Sequence, residues 1–218
     1  MSLLEKGFSI VPSIVSDAMV YDLREALFEL DRAGERCLLD HPLVQQAAFQ
    51  ARGNLCSKNY LNQNSIAIQA ITFDKTPTIN WKVAWHQDLM FPFANKVASN
   101  DFDLSCQKDG IEFARPPLSV LNKMLAVRVH LDDCDETNGP LRVSPGTHRF
   151  GILPSADIPT KIRTQGEMIC LAKKGEALLM NPLILHASSQ ATAPKHRRIL
   201  HFVYYTGPEI SENWHRNI

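Results

Sequence analysis

A succession of short segments in which apolar and polar residues alternate confines this chain to a β-rich fold. Met124-Leu125-Ala126-Val127-Arg128-Val129-His130-Leu131 is the clearest. Successive side chains of a strand point to opposite faces, so this pattern gives one apolar face and one mixed face. Ser65 to Phe73, Val83 to Met90, Glu176 to Met180 and Arg197 to Tyr205 read as further strands, and Phe8 to Pro12 as a short extended entry. The connections carry turn formers: Asn138-Gly139-Pro140, Ser144-Pro145-Gly146 and Asn181-Pro182. Two helices precede the strands. One runs from Asp17 to Arg32, with Ser16 as its cap, Val20, Leu23, Leu27 and Leu30 at helical spacing, and Gly34 just past its end. A weaker one includes Pro42 to Arg52. Helices followed by many short strands predict a mainly β (α+β) fold, a two-sheet jelly roll with supporting N-terminal helices. No internal repeat or linker interrupts the 218 residues, so one domain is expected. Residues 1–60 would give mainly helical support and 65–205 the strand core. The irregular stretch from Pro92 to Pro117 reads as a lid or insertion near the site.

Composition excludes several roles. Lys plus Arg and Asp plus Glu both total 23, a formal net charge of zero, and nucleic-acid binding normally shows as a basic excess. Lys195-His196-Arg197-Arg198 is too short to alter that. No apolar run approaches the length of a membrane span, and Met1 to Phe8 lacks the charged start and apolar run of a signal peptide. Five irregularly spaced cysteines without a C-x-x-C read as free thiols in a reducing cytoplasm. No heptad or self-complementary patch indicates an oligomeric state.

The chemistry concentrates in Trp85-His86-Gln87-Asp88-Leu89. Residues two apart on a strand share a face, so the imidazole of His86 and the carboxylate of Asp88 face a common point. His186, after Asn181-Pro182-Leu183-Ile184-Leu185, supplies a third ligand. Two histidines and one carboxylate on one side of a metal leave positions open on the other, the arrangement of non-haem Fe(II) oxygenases. Alone, a His-x-Asp pair is more often a hydrogen-bonded surface couple, and a lone His186 a buried, satisfied histidine. Arg197, eleven positions beyond His186, can grip the distal carboxylate of an organic acid with two charge-assisted bonds, with Ser188 adding a hydroxyl. The bland alternative for Arg197-Arg198 is a solvated pair at a strand end.

Trp85-His86-Gln87-Asp88, the run Asn138 to His148, His186-Ala187-Ser188 and Arg197-Arg198, in that order, resemble the phytanoyl-CoA dioxygenase family over most of the chain, from Gly7 to about Tyr205. The resemblance implies a double-stranded β-helix, cupin-like in form, and an Fe(II)- and 2-oxoglutarate-dependent dioxygenase using O2. It implies iron held by His86, Asp88 and His186 as the catalytic centre, and 2-oxoglutarate chelating that iron with its far carboxylate on Arg197 and Ser188. Gln69 and Lys75, on the preceding strand, are carried over as further cofactor contacts. Arg128 becomes a candidate for a substrate anion, with an outward salt bridge as the alternative. Trp81, Trp85, Phe91 and Phe93 would wall the pocket, and ordinary core packing fits them equally. Lys108 and Arg115 read as solvated loop residues, and Asn138 to His148 first of all as a turn.

The expected reaction is hydroxylation of an unactivated C–H bond of a small-molecule metabolite, releasing succinate and CO2. Retention of Asp88 disfavours halogenation, because related halogenases have a small residue there to admit chloride. Two other readings stand beside it: a metal-binding jelly roll without turnover, and a cupin-type dioxygenase that does not use 2-oxoglutarate.

Overall fold

The computed structural model describes residues 3–28 and 32–218; Met1, Ser2 and Leu30 of the sequence reading lie outside them. A short helix α1 (Leu3–Lys6) leads into strand β1 (Phe8–Val11). Helix α2 (Asp17–Leu27) starts where Ser16, in extended backbone, accepts a 3.2 Å hydrogen bond from the amide of Met19. It ends before the predicted Arg32, so Gly34 is not its cap. Gly34 instead lies where a Cβ would collide with the Thr72 carbonyl. Its neighbours hydrogen-bond along the adjacent strand, Thr72 N–H to the Glu35 carbonyl at 2.9 Å and Asp74 N–H to the Ala33 carbonyl at 3.0 Å, which covers an otherwise open edge. Helix α3 (Pro42–Ser57) begins with Pro at its first position and runs past the predicted end.

The remaining strands are β2 (Ile66–Lys75), β3 (Val83–His86), β4 (Phe91–Phe93), β5 (Asp103–Lys108), β6 (Ile111–Arg115), β7 (Met124–His130), β8 (Leu141–Ser144), β9 (Met168–Cys170), β10 (Ala177–Met180), β11 (Leu185–Ser188) and β12 (Arg197–Tyr205). Short helices α4 (Leu118–Leu121) and α5 (Ile158–Gln165) fall between them. All strand pairs are antiparallel. A five-stranded sheet has the order β1-β10-β7-β12-β2, a four-stranded sheet β3-β11-β8-β9, and a small third sheet β4-β6-β5. This is the expected mainly β jelly roll, its two large sheets facing one another without closing into a barrel. The 92–117 stretch is not irregular: it holds the β5–β6 hairpin. β1, from the part assigned to helical support, joins the larger sheet at its edge.

Alternation along β7 decides what lies on each side. Leu125, Val127 and Val129 pack with Leu179, Leu200 and Phe202 against Val20, Leu23, Ala47 and Leu55 of α2 and α3. Ala126 packs with Leu178 and Met180 against Leu141, Val143 and Ile184 of the smaller sheet. The helices therefore cover one face of the larger sheet, and its other face closes on the smaller sheet. Arg128 and His130 share the parity of Ala126 and so face the inter-sheet space, which is where the polar residues gather. Among the described residues no helix is long and apolar enough to cross a membrane, and all five cysteines are free.

Candidate metal centre

Strands β3 and β11 pair so that His86 and His186 stand directly opposite one another, their rings 4.2 Å apart between centroids. Asp88 lies just beyond the end of β3, and its amide donates to the Pro182 carbonyl at 2.9 Å. Gln87, buried between the two ligands, fixes this turn. Its side-chain amide donates to the carbonyls of Gly151 (2.8 Å) and Leu183 (2.6 Å) and accepts from Leu153 N–H at 2.8 Å. Each histidine ring is oriented through Nδ1, which bonds a carbonyl two residues back: Ala84 at 2.8 Å for His86, Ile184 at 3.0 Å for His186. Donation from Nδ1 leaves the Nε2 lone pairs free, the usual way a protein presents histidine to a metal. Both Nε2 atoms lie 3.5 Å from an Asp88 oxygen, and one ligand atom from each of the three residues falls within 4.8 Å of the others. Burial raises the Asp88 carboxyl, but His186 and His86 override it and hold the group well below the usual carboxylate range. For His86, burial lowers the pKa while Asp88 raises it more, leaving it above the ordinary value. Two imidazole nitrogens and a carboxylate, oriented from outside and converging on one point, fit a divalent metal.

A second cluster forms where β2 and β12 meet. Arg197 and Lys75 are opposite one another in register, and Lys75 Nζ donates to Ser188 Oγ at 3.3 Å and to the Ser189 carbonyl. The Arg197 guanidinium donates to the Gly139 carbonyl, while its Nε is buried without a partner. Gly139 has φ of +73°, and a Cβ there would lie 2.8 Å from the Ser189 carbonyl and 2.9 Å from Lys75 Nζ. The Asn138-Gly139-Pro140 turn thus shapes the chain, as the sequence suggests, and its carbonyl also holds Arg197. Arg198 points the other way, paired through two 2.8 Å contacts with Asp132. Burial and the nearby Arg197 charge lower the Lys75 pKa to about 8. Among the described residues no carboxylate forms an ion pair with Lys75, Arg128 or Arg197.

A cavity of about 670 Å³ joins the two clusters. His86, Asp88, His186, Ser188, Arg197, Gln69 and Arg128 line it, so the structure brings seven of the nine residues singled out from sequence to one space. Lys75 stands behind the wall, and Trp85 is not on it. Adjacent strand residues point to opposite faces, so Trp85 turns away from His86, and the Arg142 guanidinium stacks 5.3 Å above its ring. Of the other aromatic residues expected to wall the pocket, Trp81 and Phe91 line the cavity and Phe93 does not. Lys108 and Arg115 also reach it, although Arg115 pairs with Asp103 and Lys108 lies 5.0 Å above the Phe113 ring. The sequence reading missed Gln87, Phe73 and His201. His201 shares the parity of Arg197 along β12, and this polar residue at an inward position was the available signal.

The Phytanoyl-CoA dioxygenase (PhyH) family model matches residues 3–199. The chain belongs to the phytanoyl-CoA dioxygenase family. No curated protein matches it in sequence. Among solved structures, it resembles the apo form of EctD from S. alaskensis, with TM-score 0.67, 16% identity, and coverage of 94% of this chain and 74% of that one. AviO1 from Streptomyces viridochromogenes Tue57 gives a TM-score of 0.63 at 15% identity, covering 95% of both chains. HygX from Streptomyces hygroscopicus, crystallised with nickel and 2-oxoglutarate, gives 0.62 at 15% identity, covering 93% of this chain and 84% of that one. At such identities the likeness shows the shared fold.

Proposed function

We propose that this protein is an Fe(II)- and 2-oxoglutarate-dependent dioxygenase that hydroxylates an unactivated C–H bond of a small-molecule metabolite, with release of succinate and CO2. The observation that carries the reading is the joining, in one cavity, of a His-Asp-His cluster to a buried guanidinium with no carboxylate partner. His86, Asp88 and His186 would hold the metal; with 2-oxoglutarate and O2 bound, iron supplies the oxidising chemistry.

This chain's residues do the rest. The backbone carbonyls of Ala84 and Ile184 keep both imidazoles in the tautomer that binds metal, and Asp88 remains a carboxylate at neutral pH. Arg197, assisted by Ser188 and by the charge of Lys75, would take the far carboxylate of 2-oxoglutarate, a charge-assisted contact worth about 1.5–3 kcal/mol net. Gln69 lies farther along β2 on the cavity wall, where it would meet the same co-substrate. Leu104 and Phe113 of the β5–β6 hairpin close the cavity as a lid and exclude water from the oxidising centre. Membership of the family, iron in a crystal of EctD, and 2-oxoglutarate in a crystal of HygX support this reading. SnoK, a non-heme alpha ketoglutarate dependent carbocyclase, also shares the fold, at TM-score 0.57 and 13% identity. The free thiols support a cytoplasmic location.

The test is uncoupled turnover. Protein supplied anaerobically with Fe(II), ascorbate and 2-oxoglutarate and then exposed to air should form succinate, and His86→Ala should abolish it. A metal-binding jelly roll without turnover gives none. A dioxygenase that does not use 2-oxoglutarate gives none either, yet consumes oxygen with its own substrate.

A further inference from the structure

Arg128 is the cation that the proposed chemistry leaves unused. It lies midway along β7, is 8% exposed, and reaches the cavity, so the little surface it keeps faces that space. Its guanidinium donates to His201 Nδ1 at 3.4 Å and lies 5.1 Å from the centre of the Phe73 ring. Neither contact carries negative charge. Burial, with the Arg128 charge adding to it, lowers His201 to about 3, so that imidazole is neutral. Burial lowers Arg128 to about 10, which leaves it cationic at neutral pH. A guanidinium has five N–H donors, and its hydrogen bond to His201 uses one.

The charges make the case. A ferrous ion with Asp88 carries one net positive charge, and Arg197 and Lys75, both cationic at neutral pH, add two more. The two carboxylates of 2-oxoglutarate offset two of these three, so the co-substrate brings no negative charge to spare for Arg128. Arg128 then retains its charge at 8% exposure, with Asp88 acting on it only at long range and no ion pair among the described residues, and a buried ion without a close partner is costly. The other cations at the cavity are differently placed: Arg36 pairs with Asp109 at 3.3 Å, Arg115 pairs with Asp103, and Lys108 sits on the exposed strand β5 over the Phe113 ring. We infer that the substrate is a carboxylate-bearing small molecule whose anionic group sits on the Arg128 guanidinium, between His201 and the Phe73 ring. The planar fork suits a carboxylate taken through two parallel bonds. Phe73, Ile71, Leu89 and Leu104 offer apolar wall to the rest of the molecule. This rests on the dioxygenase reading above, since it counts the charge of the co-substrate.

The test uses Fe(II)-loaded protein kept anaerobic and titrated first with 2-oxoglutarate, then with octanoate, octanamide, phenylacetate and phenylacetamide, binding being followed by calorimetry. The inference predicts that at least one acid binds tenfold or more tighter than its amide. Arg128→Gln should remove that preference while moving the 2-oxoglutarate dissociation constant by less than threefold, and Arg128→Lys, keeping the charge without the fork, should retain part of it. Metal-free Arg128→Gln should also melt above wild type, because it loses a buried, unpaired charge; a purely structural arginine would give the opposite shift. Acids binding no better than amides overturns the inference. So does a tenfold loss of 2-oxoglutarate affinity in Arg128→Gln, which would assign the residue to the co-substrate. Failure of 2-oxoglutarate to bind wild type appears in the first titration, strikes the dioxygenase reading itself, and takes this inference with it.

Discussion

Replacing Arg197 by Gln tests the proposed co-substrate grip, and the structure sets the size of the effect. Arg197 is 3% exposed, forms no ion pair within the described residues, and has a buried Nε without a partner. Its charge is therefore free for a ligand. A charge-assisted hydrogen bond contributes about 1.5–3 kcal/mol net, which is roughly 12- to 140-fold in affinity. Gln keeps an N–H donor for the Gly139 carbonyl, so the turn is not left without its partner. The discriminating ligand is 2-oxopentanoate, which has a methyl group where 2-oxoglutarate has its far carboxylate. Dissociation constants for both acids, measured anaerobically by calorimetry on Fe(II)-loaded wild type and variant, close a thermodynamic cycle. The account predicts that Arg197→Gln weakens 2-oxoglutarate by that factor and 2-oxopentanoate by less than threefold. Equal weakening of the two would refute the reasoning, because Arg197 would then be supporting the cavity rather than meeting a carboxylate.

Asp88→Ala and His186→Ala should each lower Fe(II) affinity by more than about tenfold, the scale lost when even an outer partner of a metal ligand is removed, as read by metal titration. Gln87→Ala touches no metal, yet it removes three hydrogen bonds that hold the turn between two ligands; Fe(II) affinity should fall about 10- to 100-fold, and unchanged affinity would exclude a positioning role. Gly139→Ala forces a side chain into a positive-φ position against Ser189 and Lys75, at a cost of at least about 2 kcal/mol; the melting temperature should drop by roughly 4–8 °C. Lys75 supplies the pH dependence. Its folded-state pKa of about 8 lies below its unfolded value near 10.5, so its penalty on stability is full below pH 8 and fades as pH rises between the two. Over the same rise its charge disappears beside Arg197, so KM for 2-oxoglutarate should increase above pH 8, and Lys75→Met should flatten that profile.

The strands that carry the site were legible because their alternation is strong. Arg197 to Tyr205 is the observed β12, and Met124 to Leu131 exceeds β7 by one residue. Parity pointed to His86 and Asp88 as one pair, although β3 ends at His86 and the following turn places Asp88, and it separates inward Arg197 from outward Arg198. Trp85 went astray because parity was not applied to it: standing next to His86, it must face the other way. The β5–β6 hairpin was illegible for a physical reason. β5 is exposed at every position, so no buried face imposes a period of two on Asp103 to Lys108. Gly34 was assigned as a helix cap, whereas what demands glycine there is close approach to Thr72, a contact 38 residues distant in the chain that no local pattern reveals. The charge state of the cavity was likewise hidden. Alternation shows which faces Arg128, His201 and Lys75 occupy, but that Arg128 and Lys75 form no ion pair with a carboxylate among the described residues emerges only once the strands are side by side.

Anaerobic titration of Fe(II) into protein containing 2-oxoglutarate, followed by the visible charge-transfer absorption of an iron–keto acid chelate, tests the central claim most directly. The account predicts a band that saturates at one iron per chain in wild type and is absent in Asp88→Ala. A wild type with no band, or an Asp88→Ala variant that keeps it undiminished, would contradict the assignment of these three side chains to a single ferrous ion.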